Sequence, residues 1–192
     1  MSLFLCHLTR RCVMNPCFVS SSSFIGFPTA ILVQFLTERF IGEYASNTNS
    51  LHRKILYIDG KQLYLCEVFD PCYQGTEAKC ILEGPVNWAD GFVVVYNISD
   101  PVSFTDAENI LQQTRETRME NFCLVGNKQD LCHARQVCEE EGRSLAQENC
   151  CPFQEVSAAE SYQEIASLFT RLIRDSMAKF IKNVFGKRRK SV

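Results

Sequence analysis

A short run of polar residues follows an apolar segment in the second half of the chain. Residues 122–131 read FCLVGNKQDL, so that mostly apolar residues lead through Gly126 into Asn127, Lys128 and Asp130. An amide, an ammonium group and a carboxylate directly after a segment with the composition of a buried strand indicate a binding site. A carboxylate held in such a loop needs hydrogen-bond donors, and a ligand is one source of them.

The chemistry that suits Asp130 is recognition of a guanine base. Guanine presents a ring N–H and an exocyclic amine on one edge, and a single carboxylate can accept from both, whereas adenine has no such pair of donors there. Charge-assisted bidentate bonds of this kind are among the strongest in proteins. We expect Asn127 to bridge the base and a neighbouring loop, and the stem of Lys128 to cover the face of the ring.

A second polar turn follows the next predicted strand. Residues 156–159 read VSAA, and we expect a backbone N–H near Ala158, between Ser157 and Ala159, to donate to the carbonyl oxygen of guanine. The alternative interpretation of the NKQD motif is a polar turn after a buried strand, because so short a motif also occurs by chance. Its position after a strand and before a helix, with a serine–alanine pair following the next strand, favours the base site.

The surrounding elements alternate between helix and strand. Periodicity predicts a helix from Thr29, a hairpin over residues 53–70 around Asp59-Gly60, and strands near 17–19, 91–98, 122–126 and 151–158. Further helices are predicted from Asp100-Pro101, over 134–149, and after a capping box of Ser157 with Glu160. This order predicts an α/β fold: a mainly parallel sheet with one antiparallel hairpin strand and helices on both faces. Asp70, Asn127 and Ser157 then follow strand ends, where such folds bind ligands.

These motifs together resemble those of Ras-type small GTPases. The resemblance covers about residues 29–175 and rests on the hairpin, the strands, NKQD and VSA. It implies a Ras-like P-loop GTPase fold that binds GTP or GDP with Mg²⁺, hydrolyses GTP slowly, and meets effector and regulator proteins through switch loops. Residues 1–28 form an atypical N-terminal segment in place of the family's first strand and phosphate loop.

The phosphate loop of that family is the clearest departure. Its pattern G-x-x-x-x-G-K-[ST] ends at Thr29 when counted back from Phe40, so that Phe27 stands for the last glycine and Pro28 for the lysine. Proline brings neither the charge nor the N–H donor. Thr29 is retained as a magnesium ligand. Phe40 matches a phenylalanine that packs edge-on to the base, although an apolar residue closing a helix end is an equal interpretation.

The family's D-T-A-G-Q stretch appears as DPCYQ. By resemblance, Asp70 belongs to the magnesium shell and Gln74 positions the attacking water. Tyr73 occupies the place of a glycine whose N–H meets the terminal phosphate, and Pro71 has no N–H to donate. We therefore expect a guanine-nucleotide-binding signalling protein with weakened hydrolysis. The alternative is a pseudo-GTPase that acts as a nucleotide-independent interaction module, so enzymatic activity stays open at this stage.

Composition places the chain among soluble globular proteins. Its 192 residues suit one domain, and a net charge of −2 gives no global attraction for nucleic acid. The eleven cysteines are scattered without paired C-x-x-C spacing, which favours free thiols in a reducing cytoplasm over zinc. Residues 12–37 carry no charge but lack about 20 consecutive mainly apolar positions, so a membrane span is not expected. We expect a monomer.

Residues 176–192 form a basic amphipathic tail. Lys179 to Val192 contains six basic residues and no acidic one, and no cysteine lies near the end, so prenylation is not expected. Apolar residues share one helical face: Met177, Phe180, Ile181, Val184 and Phe185. Weak contact with an anionic membrane, a nuclear address and a solvated polybasic end are the three interpretations.

Overall fold

The computed structural model of the chain describes the backbone over most of its length. The described residues are 2–5, 8–9, 13–14, 17–20, 27–41, 50–58, 62–70, 91–116 and 121–188. Their strands are β1 (Ser2–Leu5), β2 (Leu8–Thr9), β3 (Val13–Met14), β4 (Cys17–Ser20), β5 (Ser50–Ile58), β6 (Gln62–Asp70), β7 (Phe92–Asn97), β8 (Phe122–Asn127) and β9 (Phe153–Val156). Their α-helices are α1 (Phe27–Thr37), α2 (Pro101–Glu116), α3 (Glu139–Glu148) and α4 (Tyr162–Arg188), and a 3₁₀ helix covers Gln129–Ala134.

The parallel strands and the antiparallel hairpin that the sequence predicts lie in two sheets, one with the strand order β1-β4-β7-β8-β9 and the other with the order β2-β3-β6-β5. Strand β8 lies between β7 and β9, and both pairings are parallel. Strands β5 and β6 pair antiparallel from Ser50 opposite Asp70 to Ile58 opposite Gln62. The α/β fold class is therefore confirmed, whereas the turn predicted at Asp59-Gly60 lies outside the described residues.

The N-terminal strands are divided between the two sheets: β1 and β4 belong to the five-stranded sheet, and β2 and β3 to the four-stranded sheet. Strand β1 runs antiparallel to β7, with Leu5 opposite Phe92, and β4 pairs with β1 and with Phe92 through Cys17. Strand β3 runs parallel to β6, with Val13 opposite Leu65. The short strand predicted near residues 17–19 is confirmed as β4.

Two apolar clusters cover opposite faces of the parallel strands. Alternate residues of β7 and β8, such as Val93 and Val125, pack with α1 and α4. Their neighbours, such as Val94 and Leu124, pack with α2 and α3. All six residues of β7 are buried, which agrees with the continuous apolar run in the sequence. The sheet thus has helices on both faces.

The starts of α1 and α3 differ from the sequence prediction, and that of α2 agrees with it. Helix α1 begins at Phe27, two residues before Thr29, so Pro28 lies in its first turn, where proline is tolerated. Helix α2 begins at Pro101 as predicted, and the Asp100 carboxylate accepts from the Val102 N–H at 3.0 Å. The helix predicted over 134–149 begins only at Glu139, because residues 129–134 form the 3₁₀ helix instead.

The C-terminal helix corrects the predicted capping box of Ser157 with Glu160. Helix α4 begins at Tyr162, and the Ser161 hydroxyl accepts from the Glu164 N–H at 3.3 Å. The hydroxyl of Ser157 is engaged elsewhere, in the loop before the helix. Helix α4 then continues past residue 175, after which the sequence places the start of the basic tail, to Arg188.

The described residues also show whether a helix could span a membrane and which cysteines are free thiols. None of their helices is long and apolar enough to span a bilayer. Within the described residues, the following cysteines are free thiols: Cys66, Cys123, Cys132, Cys138, Cys150 and Cys151. Burial raises the pKa of the Cys123 thiol to about 12, which keeps it protonated at neutral pH.

Candidate functional site

The three parallel strands end at one level of the sheet. Asn97 of β7 is opposite Asn127 of β8, which is opposite Val156 of β9. The loops that follow these strands therefore start side by side, although they are far apart in sequence. This register brings the NKQD and VSA motifs together.

Asn127 joins two of these loops. Its side chain is 2% exposed, and its Oδ1 accepts from the Lys128 N–H at 2.8 Å and from the Ala158 N–H at 3.2 Å. One buried amide oxygen thus satisfies backbone donors on both sides of the site. Because a buried donor without a partner costs about 1–3 kcal/mol, Asn127 holds the two loops at a fixed separation.

Asp130 meets Ser157 across the same gap. The Ser157 hydroxyl donates to Asp130 Oδ1 at 2.6 Å and accepts from the Ala159 N–H at 3.1 Å. Asp130 lies in the first turn of the 3₁₀ helix and is half-buried, whereas Ser157 is buried. The serine therefore orients one carboxylate oxygen, which fixes the plane in which the other oxygen is presented.

Lys128 adopts an unusual backbone conformation between these two residues. Its φ of 69° and ψ of 39° place it in the left-handed region, where it precedes the 3₁₀ helix. The side chain is half-buried, and burial lowers the pKa of its ammonium group, while Asp130 and Asp100 act in the opposite direction. The left-handed turn lets the chain pass from the end of β8 to Asp130 within three residues.

Ala158 supplies the backbone donor that the sequence predicts for the base. Its N–H is directed to Asn127 Oδ1, so a ligand carbonyl that accepts from Ala158 would share or replace that bond. Ala158 is buried and Ala159 is exposed. The alanine at 159 therefore lies at the rim of the site.

Sequence reasoning missed an ion pair beside these residues. Arg135 follows the 3₁₀ helix, and its two terminal nitrogens each donate to a different oxygen of Glu155 at 2.7 Å. The hydrogen bonds that the Glu155 carboxylate accepts from Arg135 raise the pKa of the guanidinium above its usual range. One feature of the sequence could have indicated this pair. Glu155 is an acidic residue within the predicted strand CPFQEVSA, where an apolar residue would be expected.

The remaining predicted site residues belong to other elements or lie outside the described residues. Phe40 lies beyond the end of α1, and half of its surface is exposed. The backbone of Thr29 lies in the first turn of α1, and Asp70 is the last residue of β6. Gln74 lies outside the described residues, and no group of three or more metal-binding His, Cys, Asp or Glu side chains occurs among those that are described.

Comparison with known proteins fits this arrangement. The family model described as "Ras family" matches residues 23–178. The chain belongs to the Ras family. It is 49% identical over 189 residues to the Ras-related and estrogen-regulated growth inhibitor-like protein of Bos taurus, which covers 85% of this chain and 92% of the relative. The Homo sapiens protein of that name is 48% identical over 188 residues, with 85% and 91% covered.

A second Ras-family group is also similar. Ras-like protein family member 11A of Mus musculus is 34% identical over 174 residues, which cover 85% of this chain and 70% of the relative. Ras-family proteins are small GTPases that generally bind GTP or GDP with Mg²⁺ and meet effectors and regulators. Membership therefore places this chain in GTPase-family signalling.

Proposed function

We propose that this Ras-family protein binds guanine nucleotides through the residues at the ends of β8 and β9 and hydrolyses GTP weakly. The observation that carries the proposal is the bond from the Ser157 hydroxyl to Asp130 Oδ1, together with the bond from the Ala158 N–H to Asn127. These two bonds hold the proposed base-reading groups of the two loops together. A preassembled site loses less conformational entropy when its ligand binds.

Asp130 is the residue that selects guanine. Ser157 orients one of its oxygens, and the carboxylate accepts from the ring N–H and the exocyclic amine of the base. Each charge-assisted bond contributes roughly 1.5–3 kcal/mol, so the pair accounts for about 3–6 kcal/mol of binding free energy. The stem of Lys128, half-buried beside Asp130, covers one face of the ring.

The phosphate half of the site explains the weak hydrolysis. Pro28 lies in the first turn of α1, where it brings no N–H and no charge to a bound phosphate. If about four charge-assisted contacts of roughly 1.5 kcal/mol are missing, affinity falls by about 6 kcal/mol, or more than ten-thousand-fold. Thr29 and Asp70 are the residues that would hold Mg²⁺, which supplies charge neutralisation at the phosphates when bound.

Calorimetric titration of GDP into the protein and two variants tests the proposal. Asp130→Ala removes both base contacts, so we expect at least about a hundredfold loss of affinity. Gln129→Ala is the matched control, because Gln129 is the exposed neighbour of Asp130. Saturable binding of GDP but not ADP, lost only in Asp130→Ala, supports the proposal.

Two results would count against it. Absence of GDP binding in a protein that melts cooperatively would favour a nucleotide-independent interaction module, for which Pro28 is the motivating residue. Single-turnover assays with GTP would separately show the hydrolytic step, and a rate equal to that of typical Ras-family proteins would contradict the weakened reaction.

A further inference from the structure

The Arg135–Glu155 ion pair stands out from the other ion pairs of the described residues by its burial and geometry. The Glu155 side chain is 4% exposed and that of Arg135 is 24% exposed, whereas both partners of the Arg143–Glu139 pair in α3 are largely exposed. Both oxygens of Glu155 accept from Arg135 at 2.7 Å, in the bidentate geometry that restricts orientation as well as distance. A third bond, from Arg135 to the Val137 carbonyl oxygen at 3.1 Å, fixes the guanidinium in place.

The two partners belong to the two elements that present the base-reading residues. Arg135 is the residue directly after the 3₁₀ helix whose first turn contains Asp130. Glu155 lies in β9, opposite Gly126 and two residues before Ser157. The ion pair therefore closes the far end of the same gap that the Ser157–Asp130 bond crosses at the near end.

The chain between these two ties has little freedom. The Arg135 N–H donates to the Cys132 carbonyl oxygen at 3.3 Å, and the Leu131 N–H donates to the Lys128 carbonyl oxygen at 2.9 Å. The backbone is kinked at Leu131 (φ −90°, ψ 43°), and these two bonds lie on either side of the kink. Because Arg135 follows Asp130 by only five positions in a segment that is hydrogen-bonded on both sides of the kink, a displacement of Arg135 shifts the position of Asp130. Releasing the ion pair would leave the Ser157–Asp130 bond as the main restraint on the angle of the carboxylate.

We infer that Arg135 and Glu155 are positioning residues for guanine recognition, which set the orientation of Asp130 by clamping the 3₁₀ helix to β9. This inference rests on the proposed function for its ligand, whereas the clamp itself consists of bonds within the protein. The pair touches no base atom; it acts through Asp130 and Ser157. Its loss should lower selectivity for the exocyclic amine of guanine more than it lowers general affinity.

The test compares Arg135→Ala with Arg143→Ala, which removes an arginine from the exposed pair of α3. Arg135→Lys and Glu155→Gln are milder variants that decide the question if Arg135→Ala does not fold. The first readout is hydrogen exchange of the Ala158 amide, measured by NMR without nucleotide. The second is the ratio of the dissociation constants of inosine diphosphate and GDP, because hypoxanthine lacks the exocyclic amine of guanine.

In Arg135→Ala we expect Ala158 exchange to accelerate by about tenfold or more relative to the amide of Val94 in β7, with no such change in Arg143→Ala. The preference for GDP over inosine diphosphate should fall from about tenfold to within about threefold, because a misoriented carboxylate no longer meets both donors. A merely structural pair would lower the melting temperature and leave that ratio unchanged.

The inference would be overturned if the Arg135 and Arg143 variants showed the same exchange rate of the Ala158 amide and the same ratio of dissociation constants for inosine diphosphate and GDP. If the unmodified protein binds no guanine nucleotide, the proposed function fails, yet the exchange measurement still decides whether the clamp orders the loops. Accelerated exchange only in the clamp variants would then support the clamp, and unchanged exchange would refute it.

Discussion

The base half and the phosphate half of this molecule are built in different ways. At the ends of β8 and β9, side chains tie two loops together: Asn127 binds the Ala158 N–H, and Ser157 binds Asp130. At the start of α1, Pro28 occupies the first turn, and its ring nitrogen cannot donate. The proposed base recognition therefore depends on side-chain chemistry that is present, whereas the family's phosphate binding depends on a lysine and a backbone donor that are replaced at Pro28.

The difference shows how one ligand site can lose its parts independently. A base is read by a few directed bonds in one rigid region, so that region can persist when another changes. Phosphates are held by many backbone N–H groups whose geometry requires glycine at close approaches, and Phe27 is poorly suited to such a position. We therefore expect substitutions in the base half to have larger effects than those in the phosphate half.

The largest effect is expected from Asn127→Ala. This change leaves the backbone donors of Lys128 and Ala158 without their acceptor in a buried site. We expect the free energy of unfolding to fall by about 2–4 kcal/mol, since each unsatisfied donor costs about 1–3 kcal/mol. Urea denaturation measures it, and the exposed neighbour variant Gln129→Ala should differ from the unmodified protein by less than about 0.5 kcal/mol. If the free energy of unfolding of Asn127→Ala fell by a similarly small amount, the Asn127 amide would not hold the loops after β8 and β9 together.

The packing beneath the base half gives the second prediction. A Cβ at Gly142 in α3 would lie 2.4 Å from the Tyr96 hydroxyl oxygen and 2.8 Å from the Phe153 ring. Alanine usually stabilises a helix interior by about 0.5–1 kcal/mol relative to glycine. Here we expect Gly142→Ala to destabilise the protein by about 1–3 kcal/mol, because helix and sheet must separate.

A second variant sharpens the interpretation of Gly142→Ala. Tyr96→Phe removes a buried hydroxyl that has no hydrogen-bond partner, so it should leave stability unchanged or raise it slightly. In the Tyr96→Phe variant, Gly142→Ala should lower the free energy of unfolding by less than it does in the unmodified protein. The change should still be destabilising, because the contact with Phe153 remains. If Gly142→Ala lowers the free energy of unfolding equally in the unmodified protein and in Tyr96→Phe, then Tyr96 does not limit the approach of α3 to the sheet.

The smallest effect is expected in the phosphate half. Thr29→Ala removes the hydroxyl that would serve Mg²⁺, but without the neighbouring lysine and glycine this single ligand adds little. We expect GDP affinity to change by less than about threefold in the presence of Mg²⁺, against at least about a hundredfold for Asp130→Ala. A loss of GDP affinity in Thr29→Ala as large as that in Asp130→Ala would contradict the difference between the two halves.

Local patterns in the sequence predicted the elements better than the contacts between them. The buried runs of β7 and β8, the hairpin pairing and the start of α2 at Pro101 follow from composition and turn chemistry. The helix cap did not, because both Ser157–Glu160 and Ser161–Glu164 match the same S-x-x-E pattern. Only the tertiary bond from Ser157 to Asp130 decides between them, by engaging the first serine elsewhere.

Long-range pairs were likewise beyond the sequence pattern. Arg135 and Glu155 are 20 positions apart, and nothing in their local context specifies that they meet. Their contact follows from the register of β8 with β9, which places Glu155 opposite Gly126. The residues of the candidate base site could be named from the sequence because they form a motif, whereas the Arg135–Glu155 contact depends on the assembled sheet.

Comparison of guanosine with GDP, as competitors of a fluorescent GDP analogue in the presence of Mg²⁺, tests the central claim most directly. The two ligands share the base and ribose and differ only in the phosphates. If the base half is intact and the phosphate half is not, both compete, and GDP binds no more than about a hundredfold more tightly than guanosine. A preference for GDP of ten-thousand-fold or more would show a working phosphate site and contradict the account, as would failure of both ligands to compete.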